Sequence, residues 1–401
     1  MKKSHIDWCP VIPDHWEEKR IKDIAFLQSG NSITAMDIAE EGNYPVYGGN
    51  GLRGYTNNYT NDGDYVLIGR QGALCGNINY AYGKFYATEH AVVVYTKNEE
   101  ITYWLGETLK AANLYRLSMT AAQPGLAVST LNIQFIPYPS RKERIRIANY
   151  LAEKCTEIDH QESLLTSKRD AYLRLKKSII NHAVTRGLNP NVKMKDSGIE
   201  WIGEVPEHWE VKRLKNVVEC NAKSLGENTP KDSIIKYVEI SDVDHVHGIN
   251  NIQSLMFGEA PSRARRITQK GDIIISTVRT YLKAIAKIED DDIIVSTGFA
   301  VLHPTKCNGE YLAYYILSES FINRVEMLSK GTSYPAINAS DLVSINVLIP
   351  PLPEQHAIAT YLGDKCAKID TIVSNLDKQI SRYADLKRSL IDEVITGKRA
   401  V

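Results

Sequence analysis

The residues best suited to chemistry in this chain are basic. Arg263, Arg265, Arg266, Lys270, Arg279 and Lys283 crowd into one stretch in which Asp272 is the single opposing charge, and Tyr281 lies among them. Cations at this density suit neutralisation of phosphates, and an arginine fork matches the two acceptors on a guanine edge. The plain alternative is a solvated charged face. Arg70 and Arg279 each follow closely on an apolar run led by Gly-Asp, Gly63-Asp64 in one case and Gly271-Asp272 in the other. A side chain at a strand's exit stands on a rigid platform facing a loop, which suits recognition. Gln71, beside Arg70, has an amide able to pair two atoms of an adenine edge. Asn50 and Arg53, in a glycine-rich run, complete the candidate set. The globular module that carries Arg70 is less basic than the one that carries Arg279.

Other motifs carry less. Gly49-Asn50-Gly51-Leu52-Arg53-Gly54 has the spacing of a dinucleotide fingerprint, but Tyr55-Thr56-Asn57-Asn58-Tyr59 follows where a helix would have to open. A glycine-rich loop is the better reading. Pro13-Asp14 with Glu17-Glu18-Lys19 resembles a compressed nuclease motif, yet the acids are too close to lie on two strands around one metal. There is no Asn-Pro-Pro-Tyr element, P-loop, His-Glu-x-x-His or nucleophile elbow. An enzyme reading lacks its parts, and the expectation is a non-catalytic chain.

These candidates sit in a sequence that says nearly the same thing twice. Ile12-Pro13-Asp14-His15-Trp16-Glu17 returns as Val205-Pro206-Glu207-His208-Trp209-Glu210, and Ile147-Ala148-Asn149-Tyr150-Leu151 returns as Ile358-Ala359-Thr360-Tyr361-Leu362. Two similar modules suit a target with two similar halves. In each module short apolar runs alternate with turn residues. Gly63–Gly69 and Ala91–Tyr95 read as strands, echoed by Gly271–Ser276 and Phe299–Leu302. Ile101–Met119 and Glu310–Leu328 each read as one helix. The loop Gln123-Pro124-Gly125-Leu126 matches Tyr334-Pro335-Ala336-Ile337. Trp8, Trp16, Trp201 and Trp209 lie in the duplicated opening segments and read as anchors of each module's edge against a neighbouring helix.

Two segments are of another kind. Residues 142–186 contain no proline and no glycine, and residues 354–396 contain one glycine, Gly363. Prolines stand outside them at Pro137, Pro139 and Pro190, and at Pro350, Pro351 and Pro353. Leu151, Ile158, Leu165, Tyr172 and Ile179 recur every seven residues, as do Leu362, Ile369, Leu376, Tyr383 and Leu390. Companion residues four places on (Cys366, Val373, Ile380, Lys387 and Val394) complete a coiled-coil seam. In the first segment that companion row is Cys155, Glu162, Arg169, Lys176 and Ala183, so this helix has a narrower stripe or pairs through charges. Each helix should run about 45 residues, roughly 65 Å, and the most economical partner for each is the other. The expected class is α+β, with two globular modules alternating with two long helices that pair as an antiparallel coiled coil, a pseudo-twofold internal repeat. The expected boundaries are 1–141, 142–188, 189–352 and 353–401.

Composition agrees with a folded chain: 43% hydrophobic and 24% charged. The 48 basic and 48 acidic residues cancel, which weakens the case for a lone nucleic-acid binder without excluding local segregation of charge. The six cysteines are scattered, the opening lacks a signal-peptide core, and no stretch approaches the ~18 apolar residues of a membrane helix. The expected location is the cytoplasm, with no membrane partner.

On these motifs the chain resembles the specificity subunit of type I restriction-modification systems. The resemblance is carried by the Pro-x-His-Trp-Glu segments, the Gly-Asp-apolar strands, the Gln123-Pro124 and Tyr334-Pro335 loops, and Ile349-Pro350-Pro351-Leu352-Pro353-Glu354-Gln355 leading into the last helix. Tyr47-Gly48-Gly49-Asn50-Gly51 with Ala87-Thr88-Glu89-His90-Ala91 also looks like a common class of target recognition domain. The first module departs from the pattern, with Arg141-Lys142-Glu143-Arg144 where the second has Leu352-Pro353-Glu354-Gln355. The resemblance implies that each module reads one half of a bipartite, asymmetric site in double-stranded DNA, while the paired helices set the unread spacer. It also implies two modification (methyltransferase) subunits and restriction (motor/nuclease) subunits as partners. S-adenosylmethionine, ATP and magnesium would be bound by those partners and none by this chain. The competing readings are a coiled-coil scaffold that binds only proteins and a stand-alone enzyme acting on nucleic acid.

Overall fold

The computed structural model describes residues 1–72, 74–97, 102–118, 125–245 and 247–401. The chain divides into two units, Met1–Thr166 with Lys378–Val401 and Ser167–Asp377. Each unit therefore owns one module and a portion of both long helices.

The two modules are built to one plan. In the first unit Ala25–Ser29, Ala91–Thr96, Tyr65–Gly69 and Ile78–Ala81 form an antiparallel sheet in that order. A second sheet runs Gly51–Thr56, Tyr44–Gly48, Lys84–Ala87, Asn61–Asp62, with its central pair parallel. In the second unit the first sheet is Val218–Cys220, Phe299–Pro304, Ile273–Ser276, Ile285–Lys287. Its companion is Gln253–Met256, Ile234–Val238, Ile293–Ser296, Ala264–Ile267, again with a parallel central pair. The continuous apolar runs follow from this layering. Strand side chains alternate between faces, so Val66, Ile68, Val92 and Val94 enter the core shared with the helices, while Leu67 and Val93 meet Phe85 and Ala87 of the second sheet. Ile273 and Ile275 against Ile274 divide in the same way in the second unit.

The helices between these sheets and the rods are more broken than periodicity suggests. The segment Glu310–Leu328 is two helices, Gly309–Ile316 and Glu319–Leu328, because the Ser318 side chain accepts from the Phe321 N–H and starts a new helix. In the first unit a helix spans Thr102–Ala111, and Asn113 at φ 45° turns the chain into a 3-10 turn, Leu114–Leu117. Ile101, Met119, Gln123 and Pro124 lie outside the described residues.

The long helices run Arg141–Arg186 and Leu352–Ile395. Pro353 stands inside the first turn, where a proline's missing N–H costs nothing. In the second unit Arg169 reaches Asp377 (3.5 Å) and Lys176 reaches Asp370 (2.6 Å). Seven residues forward on one helix is seven back on the other, so the helices are antiparallel. Ile180, Ala183 and Val184 share a core there with Ile358, Leu362 and Cys366. In the first unit Leu151 and Ile158 share a core with Leu390 and Val394, beside an Asp159–Lys387 pair (2.6 Å). Of the seven-spaced residues, Leu151, Ile158, Leu362, Ile369, Leu376 and Leu390 are buried, and Leu165, Tyr172, Ile179 and Tyr383 are half-buried. In the polar companion row of the first helix, Arg169 and Lys176 are thus paired through charge. Such exposed pairs set register more than they stabilise, at about 0–1 kcal/mol each. Among the described residues no helix is long and apolar enough to cross a membrane.

The duplicated His-Trp motif fastens each module to a long helix. His15 Nε2 lies 2.8 Å from Glu143 Oε1, and Trp16 Nε1 donates to the same oxygen at 3.2 Å. His208 and Trp209 hold Glu354 Oε2 likewise, at 2.7 and 3.1 Å. Glu143 also accepts the Ser140 N–H (3.2 Å) while Ser140 Oγ accepts the Glu143 N–H (3.4 Å), a reciprocal cap that begins the helix. One residue on, Arg144 Nη1 donates to Pro139 O and Gln355 Nε2 to Pro350 O, both at 2.7 Å. The departure of the first module from the second's pattern is therefore a change of side chain within a kept contact.

This clamp makes the first unit acid-sensitive. Burial alone would raise the Glu143 carboxyl, but the His15, Ser140 and Trp16 donors outweigh it and hold the group at about 2, below its ordinary 4.5. A depressed carboxyl contributes stability that is complete above its unfolded pKa and is lost as pH falls through the folded one. The contribution, at most about 3 kcal/mol, should drain away between pH 4.5 and 2. Thermal unfolding of wild type and Glu143→Gln from pH 7 downward checks this. The gap between them should be widest at neutral pH and narrow below pH 4.5, and a gap independent of pH would show that the carboxylate's charge is not its source.

Candidate nucleic-acid interface

In the second module the basic stretch of the sequence does not stay together as free charge. Ala264–Ile267 is an edge strand, and Arg265 and Arg266 are half-buried along it. Arg265 donates to Ser262 O (3.1 Å) and lies over the Phe257 ring at 4.9 Å. Arg265 Nη1 and Arg266 Nε are buried and find no hydrogen-bond partner among the described residues. Arg263 is exposed but paired to Glu239 at 2.6 Å. Lys283 Nζ is 3.4 Å from Glu326, and Lys270 is exposed at the far end of the strand.

Arg279 differs. It is exposed, and its guanidinium stacks 4.9 Å over the ring of Tyr334, itself 65% exposed. Tyr281 is also exposed. The turn carrying them is tied down at several points. Ile337 N–H donates to Thr277 O (2.9 Å), Val278 bridges Ala336, and Thr280 Oγ1 donates to Ser329 Oγ (2.8 Å). The Thr297–Gly298 turn joins the two cationic places, since Thr297 N–H donates to Arg263 O and Thr277 N–H to Gly298 O, both at 2.8 Å. Arg263, Arg279, Tyr281 and Tyr334 thus border one end of the sheets, while Arg265, Arg266 and Lys283 brace it.

In the first module Gly49-Asn50 is the turn between Tyr44–Gly48 and Gly51–Thr56, a strand-to-strand turn and not a nucleotide-binding loop. Asn50 is exposed and its side-chain oxygen accepts from Asn77 Nδ2 (3.3 Å). The Arg53 side chain lies across Gly48, where a Cβ would come within 2.5 Å of its Cδ. Arg70, expected to face a loop, turns back instead: its Nη1 donates to Ser29 Oγ (3.0 Å) and its backbone N–H to His90 O (2.9 Å). Gln71 is exposed and bridges Gly125. Glu89 and His90, whose side chains sit 3.4 Å apart, adjoin this turn and were not among the candidates. Nor was Tyr334. All three stand in motifs visible in the sequence, but only packing brings them to these faces.

Two modules of one topology, each with a polar loop face and each clamped to a long helix, define a two-headed recognition protein. The chain belongs to the family described as the type I restriction modification DNA specificity domain, which it matches over residues 13–164 and 206–382. It is similar to the EcoprrI specificity subunit of Escherichia coli, 42% identical over 139 residues that make up 34% of this chain and 35% of the relative. The type I restriction enzyme MjaVIII specificity subunit of Methanocaldococcus jannaschii is 24% identical over 410 residues, covering 96% of this chain and 93% of the relative. Among solved structures, a chain from work on complex assembly and conformational transition of the type I R-M system aligns with TM-score 0.68 at 16% identity, over 97% of this chain and 100% of that one.

Proposed function

We propose that this chain is the DNA-sequence-specificity subunit of a type I restriction-modification enzyme. Each module reads one half of a bipartite site in double-stranded DNA, and the paired helices set the spacer and offer surfaces to two modification subunits. The chain is itself non-catalytic. S-adenosylmethionine, ATP and magnesium belong to the modification and restriction subunits.

One observation carries the asymmetry of the site. The second sheet has the same strand order in both modules, yet its first connection is the two-residue turn Gly49-Asn50 in one. In the other it is the excursion 239–252, with its own 3-10 turn and the small hairpin Val243–Asp244 with Gly248–Ile249. Equal scaffolds with unequal loops read unequal half-sites. The test is to map methylated adenines in DNA from cells with and without this protein. A two-part motif with dissimilar halves, present only with the protein, is expected. Methyl transfer by the purified chain alone would favour a stand-alone enzyme, and no change in methylation would favour a protein-binding scaffold.

A further inference from the structure

The same turn is present in both modules, and hydrogen bonds fix its register. Gly69 N–H donates to Asn77 O (2.8 Å) as Ser276 N–H does to Ala284 O (2.9 Å). Leu126 N–H donates to Arg70 O as Ile337 N–H does to Thr277 O, both at 2.9 Å. Gln71 bridges Gly125 as Val278 bridges Ala336. Arg70 therefore corresponds to Thr277, not to Arg279. Two residues on, the equivalent of Arg279 is Gly72, and six on, the equivalent of Lys283 is Gly76.

The backbone is left-handed at all four places: φ 86° at Gly72 and 85° at Gly76, φ 52° at both Arg279 and Lys283. The first module meets this demand with glycine, which adopts it freely. The second meets it with two long cationic side chains, at a steric cost glycine avoids. At Lys283 the charge is turned to Glu326. At Arg279 no ion pair is made among the described residues. The guanidinium is held outward on an exposed tyrosine ring, with both faces of its turn stitched to the segment 329–337.

We propose that Arg279 is a base-reading residue of the second module, presented by a strained turn and aimed by Tyr334. This rests on the specificity reading above. The fork suits the N7 and O6 acceptors of a guanine in the major groove. Tyr334 is a positioning residue: its ring fixes the plane of the guanidinium before DNA arrives, which lowers the ordering cost of binding.

The test uses the full chain assembled with its modification subunits, offered a duplex DNA library randomised throughout, with the bound fraction sequenced. Wild type should enrich a two-part motif. R279G should lose preference at one base pair of one half-site by about tenfold, leave the other half-site intact, and unfold at or above the wild-type temperature because the strain is gone. R279A should lose the same preference and unfold at a lower temperature. Y334F should retain the motif, and Y334A should blur the same base pair that R279G loses. A wild-type motif left intact by R279G, a uniform loss across sequences, or a lower unfolding temperature for R279G would overturn the inference alone. Absence of any enriched motif with wild type would overturn the specificity reading and the inference together.

Discussion

Inserting one heptad into each long helix, after Thr166 and after Gln379, should abolish methylation at the natural site, whereas inserting three should restore it at the same half-sites with a longer spacer. The insertion points follow from the antiparallel register, in which Lys387 meets Asp159 and Asp377 meets Arg169. A matched heptad in both helices keeps the apolar seam in phase. It adds roughly 10 Å, or about three base pairs, and three base pairs turn the duplex by about 100° at 10–10.5 base pairs per turn. The helices add no matching rotation, so one half-site faces away. Three heptads add roughly 32 Å, close to the ~34 Å of one DNA turn. The half-sites then return to one face with a spacer about nine to ten base pairs longer. Sequencing of methylated adenines reads the outcome. Continued methylation at the natural spacing after one heptad would show that the helices do not measure the spacer.

The parts of this design legible in the sequence are those set by local chemistry. Unbroken apolar runs such as Val66-Leu67-Ile68 read as buried strands because both faces are covered. The helices read as long because proline and glycine are missing from them. The tryptophans of the repeat read as anchors, and for Trp16 and Trp209 the structure gives the anchor point, Glu143 and Glu354. Two kinds of feature were hidden. The break at Ser318 has no glycine or proline to mark it, only a hydroxyl whose use as a cap depends on where the chain turns. The fate of each cation was hidden too, because its partner is far away in sequence. Arg263 is neutralised by Glu239, Arg70 is claimed by Ser29, and Arg279 is aimed by Tyr334. A basic run in a sequence counts charges; only tertiary contacts decide which remain available.

Trp209→Ala should be the most damaging single truncation of the second module's clamp. The ring is 1% exposed in a core shared with Ile180, Ala183 and Val184 of the first long helix and Ile358 of the second, so one side chain joins three segments. Gly187, just past the first long helix, has φ 79°, and a Cβ there would sit 3.3 Å from the indole. Loss of a buried tryptophan costs about 3–5 kcal/mol, and Glu354 loses its indole donor as well. A unit of this size loses about 2–4 °C per kcal/mol, so the second unit's unfolding should fall by roughly 10 °C. Trp209→Phe keeps much of the ring but not the donor and should fall less. His208→Ala removes a partly exposed contact to the same carboxylate and should cost under about 1 kcal/mol. Calorimetry of the three variants gives the order. Equal losses for His208→Ala and Trp209→Ala would mean that the carboxylate link, and not the buried ring, fastens the module to its helices.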